Sequence, residues 1–253
     1  MRKYLILAVL ALASMALASV ASADDIQSVE TKISPSKLDK KKFKPVTLFV
    51  DVKTNNNSGA AVNADQPPTA TQTDVSFTKN LKFDTKAVPN CKVDSNAITN
   101  TSADQARAAC GPDSQVSVDK GTHGEVTIDN NPALPSANTK LQIQITAFNG
   151  QKPNTIYLHT DPAGIPTKPV LVGKLVKGSG AYGSILKVSI PALGAGGISD
   201  FTTTVKAGKY IQARCKSKTQ QFLATTTFTD WTGGTKATDD FTSKCSQKKK
   251  KKK

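Results

Sequence analysis

Apolar and polar residues alternate with a period of two along most of the chain. Val46, Leu48, Val50 and Val52 are separated by Thr47, Phe49 and Asp51; Leu141, Ile143, Ile145 and Ala147 by Gln142, Gln144 and Thr146; Phe222, Ala224, Thr226 and Phe228 by Leu223, Thr225 and Thr227. Successive side chains of a strand point to opposite faces, so this alternation predicts half-buried strands. Shorter runs add candidate strands at 29–33, 75–83, 116–118, 126–128, 156–159, 170–176, 185–190, 198–205 and 210–215. Asn149-Gly150 tolerates positive φ and predicts a tight hairpin into 156–159. One helix interrupts the pattern: Ser102 is placed to cap it with Gln105 three residues on, 103–109 is alanine-rich, and Gly111-Pro112 stops it after Cys110. The expected fold is all-β, an antiparallel β-sandwich of one large or two similar Ig-like-sized units, with one short helix near 102–110.

The first residues depart from that pattern. Arg2 and Lys3 precede an apolar run centred on Leu5 to Leu12, and Ala21-Ser22-Ala23 stands before Asp24 and Asp25. This is the layout of a secretory leader cleaved after Ala23. No second apolar stretch follows, so no transmembrane segment is expected after cleavage, and the mature chain is expected to be secreted, extracellular or held in the cell envelope. The remaining chain divides into a β unit at 24–135 with a helix-bearing disulfide loop, a second β unit at 136–247 or a continuation of the first, and a lysine tail at 248–253 expected to be disordered. A shifted self-comparison sets Lys44-Pro45-Val46 on Lys168-Pro169-Val170, Phe77-Thr78 on Phe201-Thr202 and Cys91-Lys92 on Cys215-Lys216. That matching suggests a duplicated β unit, with Cys91 and Cys215 at equivalent strand ends.

Four cysteines in an exported chain predict two disulfides, with three pairings open to them. The sequence-local pairing, Cys91 with Cys110 and Cys215 with Cys245, brackets turn-rich segments that a β protein can close, each bridge contributing about 3–4 kcal/mol. The 34 basic residues outnumber the 19 acidic ones. The leader carries two of the basic residues and the tail, Lys248, Lys249, Lys250, Lys251, Lys252 and Lys253, carries six. The folded body therefore holds a net charge of +7. The tail is a candidate contact for polyanions, and anionic cell-envelope polymers or glycans are the expected partners, without specific nucleic-acid recognition.

Catalytic signatures are missing from the sequence. It contains no Gly-x-Ser-x-Gly elbow, His-Glu-x-x-His helix or phosphate-cradling glycine loop. Its two histidines, His123 in an expected turn and His159 on the polar face of its strand, have no neighbouring nucleophile and are read as surface residues. With the thiols oxidised, two histidines are too few for zinc, and no cofactor is expected. Asp129-Asn130-Asn131 and Asp239-Asp240, with Asp230, supply oxygen ligands for calcium but are first of all turn formers. The single tryptophan, Trp231, lies in Asp230-Trp231-Thr232-Gly233-Gly234, where it packs under a loop or stacks on a sugar.

Leu38-Asp39-Lys40-Lys41-Lys42-Phe43, the run from Leu81 to Cys91, Thr146-Ala147-Phe148-Asn149-Gly150, Ile198-Ser199-Asp200-Phe201 and Ala213-Arg214-Cys215-Lys216 resemble an uncharacterised group of secreted actinobacterial proteins. The resemblance implies an exported all-β protein with two disulfides and carries over no catalytic residues. The expected function is therefore non-enzymatic: binding, adhesion or structural support at the cell surface. The alternative is an extracytoplasmic carbohydrate-binding or carbohydrate-active protein with Trp231 and loop carboxylates at its site.

Overall fold

A computed structural model describes residues 26–55, 67–118, 122–128, 139–191, 196–206, 208–229 and 236–247. The leader, Asp129-Asn130-Asn131, Asp230, Trp231 and the tail Lys248–Lys253 lie outside the described residues. The chain runs β1 (Gln27–Ser34), β2 (Lys37–Leu38), β3 (Lys44–Pro45), β4 (Thr47–Thr54), β5 (Ala70–Thr78), β6 (Leu81–Phe83), α1 (Ala103–Cys110), β7 (His123–Ile128), β8 (Thr139–Asn149), β9 (Thr155–Pro162), β10 (Val170–Lys177), β11 (Tyr182–Ser189), β12 (Gly196–Val205), β13 (Ile211–Ala213), β14 (Thr219–Phe228), β15 (Lys236–Lys244) and β16 (Ser246–Gln247). Eleven of these strands form one antiparallel sheet in the order β1-β4-β12-β7-β8-β9-β10-β11-β5-β14-β15.

The sheet curls until its two end strands lie side by side. No ladder joins them; instead Asp239 Oδ2 on β15 accepts the Val29 N–H of β1 at 2.8 Å, and Gln27 Nε2 donates to Thr226 Oγ1 on β14 at 2.6 Å. The alternation seen in the sequence is what makes this curl favourable. β1 buries every second residue, and Val29, Leu48, Val50, Val75, Phe77, Ile145, Leu158 and Phe222 all enter one interior cluster. Burying such side chains contributes roughly 1.5–3 kcal/mol each. Strands from before and after residue 135 are interleaved: β12 lies between β4 and β7, and β5 between β11 and β14.

Both disulfides form as expected, Cys91 with Cys110 and Cys215 with Cys245, and no described cysteine is free. The helix also starts as expected, with Ser102 accepting from the Gln105 N–H and the Gln105 side chain accepting from the Ser102 N–H. α1 covers the outer face of β8 and β9, where Ala106, Ile98, Phe148 and Tyr157 form a second cluster around the Cys91–Cys110 bridge. Cys215 lies elsewhere, in the interior cluster at the end of the curl. The two cysteines are not at equivalent strand ends, and β11 separates β10 from β5 while β4 and β12 are neighbours. The suggested duplication therefore has no counterpart in the fold.

Three local expectations are corrected. Residues 116–118 make only the bridge Ser117↔Val205, beside Gln115↔Phe148, and no strand. The Asn149-Gly150 turn is longer than a two-residue hairpin, because Gly150 N–H bonds Thr155 O and the positive φ falls on Asn154. His159 occupies the outer face of its strand as expected but is 0 % exposed, because α1 and the segment before it cover that face.

Candidate functional site

The curled sheet has two ends, and the segments that join its strands make them different. One end is closed. The three-stranded sheet β3-β13-β6 lies across it, and its side chains complete an aromatic plug: Phe83 meets Phe77 edge-on at 4.8 Å and Tyr210 at 6.3 Å, while Phe222 stacks on Phe241 at 5.3 Å. Burial pushes the Tyr210 phenol well above the ordinary tyrosine range.

This closed base is strongly basic. β16 pairs in parallel with β2, Cys215 N–H donates to Asp39 O at 2.9 Å, Arg214 N–H to Asn80 O at 2.9 Å, and Cys245 N–H to Lys218 O at 2.8 Å. These bonds bring four remote segments, 36–45, 79–84, 212–219 and 244–247, to one surface. Together they hold eleven Lys and Arg side chains against two Asp. The other described residues hold 14 basic and 11 acidic side chains, a far smaller excess spread over a much larger surface, so basic charge is concentrated at this pole. Its lysines are exposed, and among the described residues only Lys82 is ion-paired, to Asp84 at 3.8 Å. Asp39 is occupied by the N–H groups of Lys42 and Lys41 at 2.8 and 2.7 Å, which hold its carboxyl below the usual range. Arg214 lies over the Phe43 ring at 4.5 Å, so its guanidinium is held at a fixed place on the surface. The tail, Lys248–Lys253, continues directly from Gln247 of β16, that is, from this pole.

The opposite end is apolar. A groove of about 530 Å³ opens there between Val126 and Ile128 on β7, Leu141 and Ile143 on β8, and the connection 163–169. It leads inward past Leu171, Ile198 and Phe201, which also line an interior cavity of about 100 Å³. Gly124 contributes to this space by having no side chain; a Cβ there would stand 3.1 Å from Ile145 Cδ1.

The remaining candidate residues fall apart from one another. His123 begins β7 at the exposed rim of a polar cleft on the outer face, where Lys53, Asp200, Glu125 and Gln142 are successive cross-strand neighbours. Glu125 is fully engaged there, accepting from Ser199 Oγ at 3.0 Å and Gln142 Nε2 at 2.7 Å with Lys140 Nζ at 3.6 Å. Asp239 and Asp240 are not turn residues: both lie in β15, Asp239 at the seam and Asp240 accepting from Tyr182 Oη at 3.3 Å. Burial, with the Asp240 carboxylate beside it, raises the Tyr182 phenol. No group of three or more metal-ligating side chains occurs among the described residues.

His159 has a structural role. Its Nε2–H donates to Thr101 O at 3.1 Å, and Nδ1 is buried. Burial lowers its pKa, against the opposing effect of the Thr101 carbonyl and Asp161 and together with Lys168. Asp161 caps α1 through the Ala103 N–H at 2.8 Å and pairs with Lys168 at 2.6 Å. Burial alone would raise the Asp161 carboxyl, but those two partners outweigh it and hold it below the ordinary value.

No family model matches the sequence, and no curated protein or solved structure matches it significantly. The resemblance drawn above rests on its quoted residues alone. Among the described residues, no helix is long and apolar enough to cross a membrane.

Proposed function

We propose that this is an exported, non-enzymatic binding protein that attaches through its basic base to an anionic polymer of the cell envelope. The observation that supports this reading is the concentration of eleven basic side chains against two acidic ones at one pole, from which the lysine tail also departs. A polyanion with phosphate or carboxylate groups at intervals along its chain matches a patch of exposed lysines of which, among the described residues, Lys82 alone has an ion-pair partner. Each contact releases counterions, so binding weakens steeply with salt. The two disulfides fit an oxidising, extracytoplasmic location.

The tail and the pole make separable contributions. Retention of the mature protein on an immobilised phosphate polymer is measured against sodium chloride concentration, beside a chain ending at Gln247 and a Gln247-ended chain with Lys40, Lys41, Lys42, Lys216 and Lys218 changed to Gln. The expected result is a stepwise loss across the three proteins with unchanged thermal stability. Equal retention of the last two would remove the pole from the function.

A further inference from the structure

β1 turns Gln27, Val29, Thr31 and Ile33 to the buried face of the sheet. Gln27 is the largest polar side chain among them, it is 1 % exposed, and only half of its amide is accounted for. Nε2 donates to Thr226 Oγ1 at 2.6 Å, Thr226 Oγ1 in turn lies 3.0 Å from Thr73 Oγ1, and Gln27 Oε1 is buried without a hydrogen-bond partner. We infer that the interior cavity of the curled sheet is a binding site, independent of the basic pole, for a small neutral molecule the size of a single ring that donates a hydrogen bond to Gln27 Oε1.

Gln27, Thr73 and Thr226 all line this cavity. Gln27 pairs with Thr54, at the end of β4 away from the base, so the polar corner lies toward the mouth. The apolar groove reaches it past Leu171, Ile198 and Phe201, which line both spaces. The wall around the corner is apolar, with Val52, Val75 and Leu186, and among the described residues no Lys, Arg, Asp or Glu side chain lines the cavity. A charged ligand would lose its hydration there without meeting a counter-charge, which selects a neutral one. Size is set by the volume of about 100 Å³, room for roughly three waters or one small ring. The hydrogen-bonding sense is set by the carboxamide oxygen, which only accepts. Its desolvation is uncompensated within the chain, so a ligand O–H or N–H gains a bond for which the protein gives up no further water. Thr203 Oγ1 and Tyr210 Oη, farther toward the base, are likewise buried without partners on the same cavity.

The test is a methyl NMR titration of the protein at pH 8 with phenol, with toluene, which has as many non-hydrogen atoms but no donor, and with pyridine, a ring that only accepts. Phenol and toluene are both expected to shift the methyl signals of Val52, Val75 and Leu186, which line the cavity and not the groove. Gln27→Met keeps the length of the side chain and removes the acceptor. Phenol affinity should then fall about tenfold while toluene affinity stays within about twofold. Retained toluene binding would show that the cavity survives the loss of the Thr226 contact. In the unsubstituted protein, which needs no variant to fold, phenol should bind at least about tenfold more tightly than pyridine. Pyridine binding as tightly as phenol, which a Gln27 amide turned the other way would produce, would overturn the assignment. So would unchanged phenol affinity in Gln27→Met, shifts confined to Leu141 and Ile143 of the groove, or no shift at saturating phenol.

Discussion

The two ends of the sheet are made by the same strands and treat their apolar surface in opposite ways. At the base, the chain folds back over itself: β3-β13-β6 covers the opening, five aromatic rings fill it, and Cys215–Cys245 ties the last strand to the covering segment. At the mouth, aliphatic residues of similar character line an open groove, with no covering sheet among the described residues. More apolar surface is buried among the covering segments of the base, so a larger share of the stability is expected there. Exposed charge follows the same division, with the basic pole on the well-fixed end.

The sharpest way to break this comparison is truncation at each end. Phe222→Ala, at the centre of the plug, should cost about 3–5 kcal/mol in urea unfolding, whereas Leu141→Ala at the mouth should cost about 1 kcal/mol. Equal losses would mean that the base has no special share of the stability. Replacing Cys215 and Cys245 together by Ala should cost about 2–5 kcal/mol and, unlike Leu141→Ala, should increase hydrogen exchange at the amides of Ala213 and Arg214. Ser102→Ala removes one cap of the helix on the wall between the two ends, and about 1 kcal/mol is expected.

The smallest effect is the pH dependence of that same wall. His159 has a folded-state pKa below its unfolded value of 6.5, so the unfolded chain binds the extra proton. Its contribution is intact above pH 6.5 and declines as the pH falls below it. Thermal unfolding between pH 7.5 and 5 should show this decline, and His159→Gln should flatten it. Asp161 is lowered from 3.8 by Lys168 and the Ala103 N–H despite burial, so its contribution is lost only at still lower pH.

Much of the wall was legible in the chain, and most of the two ends was not. Period-two alternation at Val46–Val52, Leu141–Ala147 and Phe222–Phe228 marks strands because each has one face in the interior. The Ser102–Gln105 capping box and the two disulfides are local in sequence, and local chemistry decides them. β15 escaped notice because it buries no regular apolar face; Asp239 is used instead to close the seam against β1. The burial of His159 depends on α1 landing over β9, which no pattern within 155–162 encodes. The basic pole is equally non-local: lysines at 37–44 and 216–218 become neighbours only through the β16–β2 pairing and the Cys215–Asp39 hydrogen bond.

Whether that pole is the contact surface is most directly tested by lysine acetylation of the protein with and without the phosphate polymer, read residue by residue by mass spectrometry. Protection is expected at Lys40, Lys41, Lys42, Lys216 and Lys218, with Lys140 and Lys174 on the remainder of the body unchanged. Protection confined to Lys248–Lys253, or spread evenly over all lysines, would contradict attachment through the base.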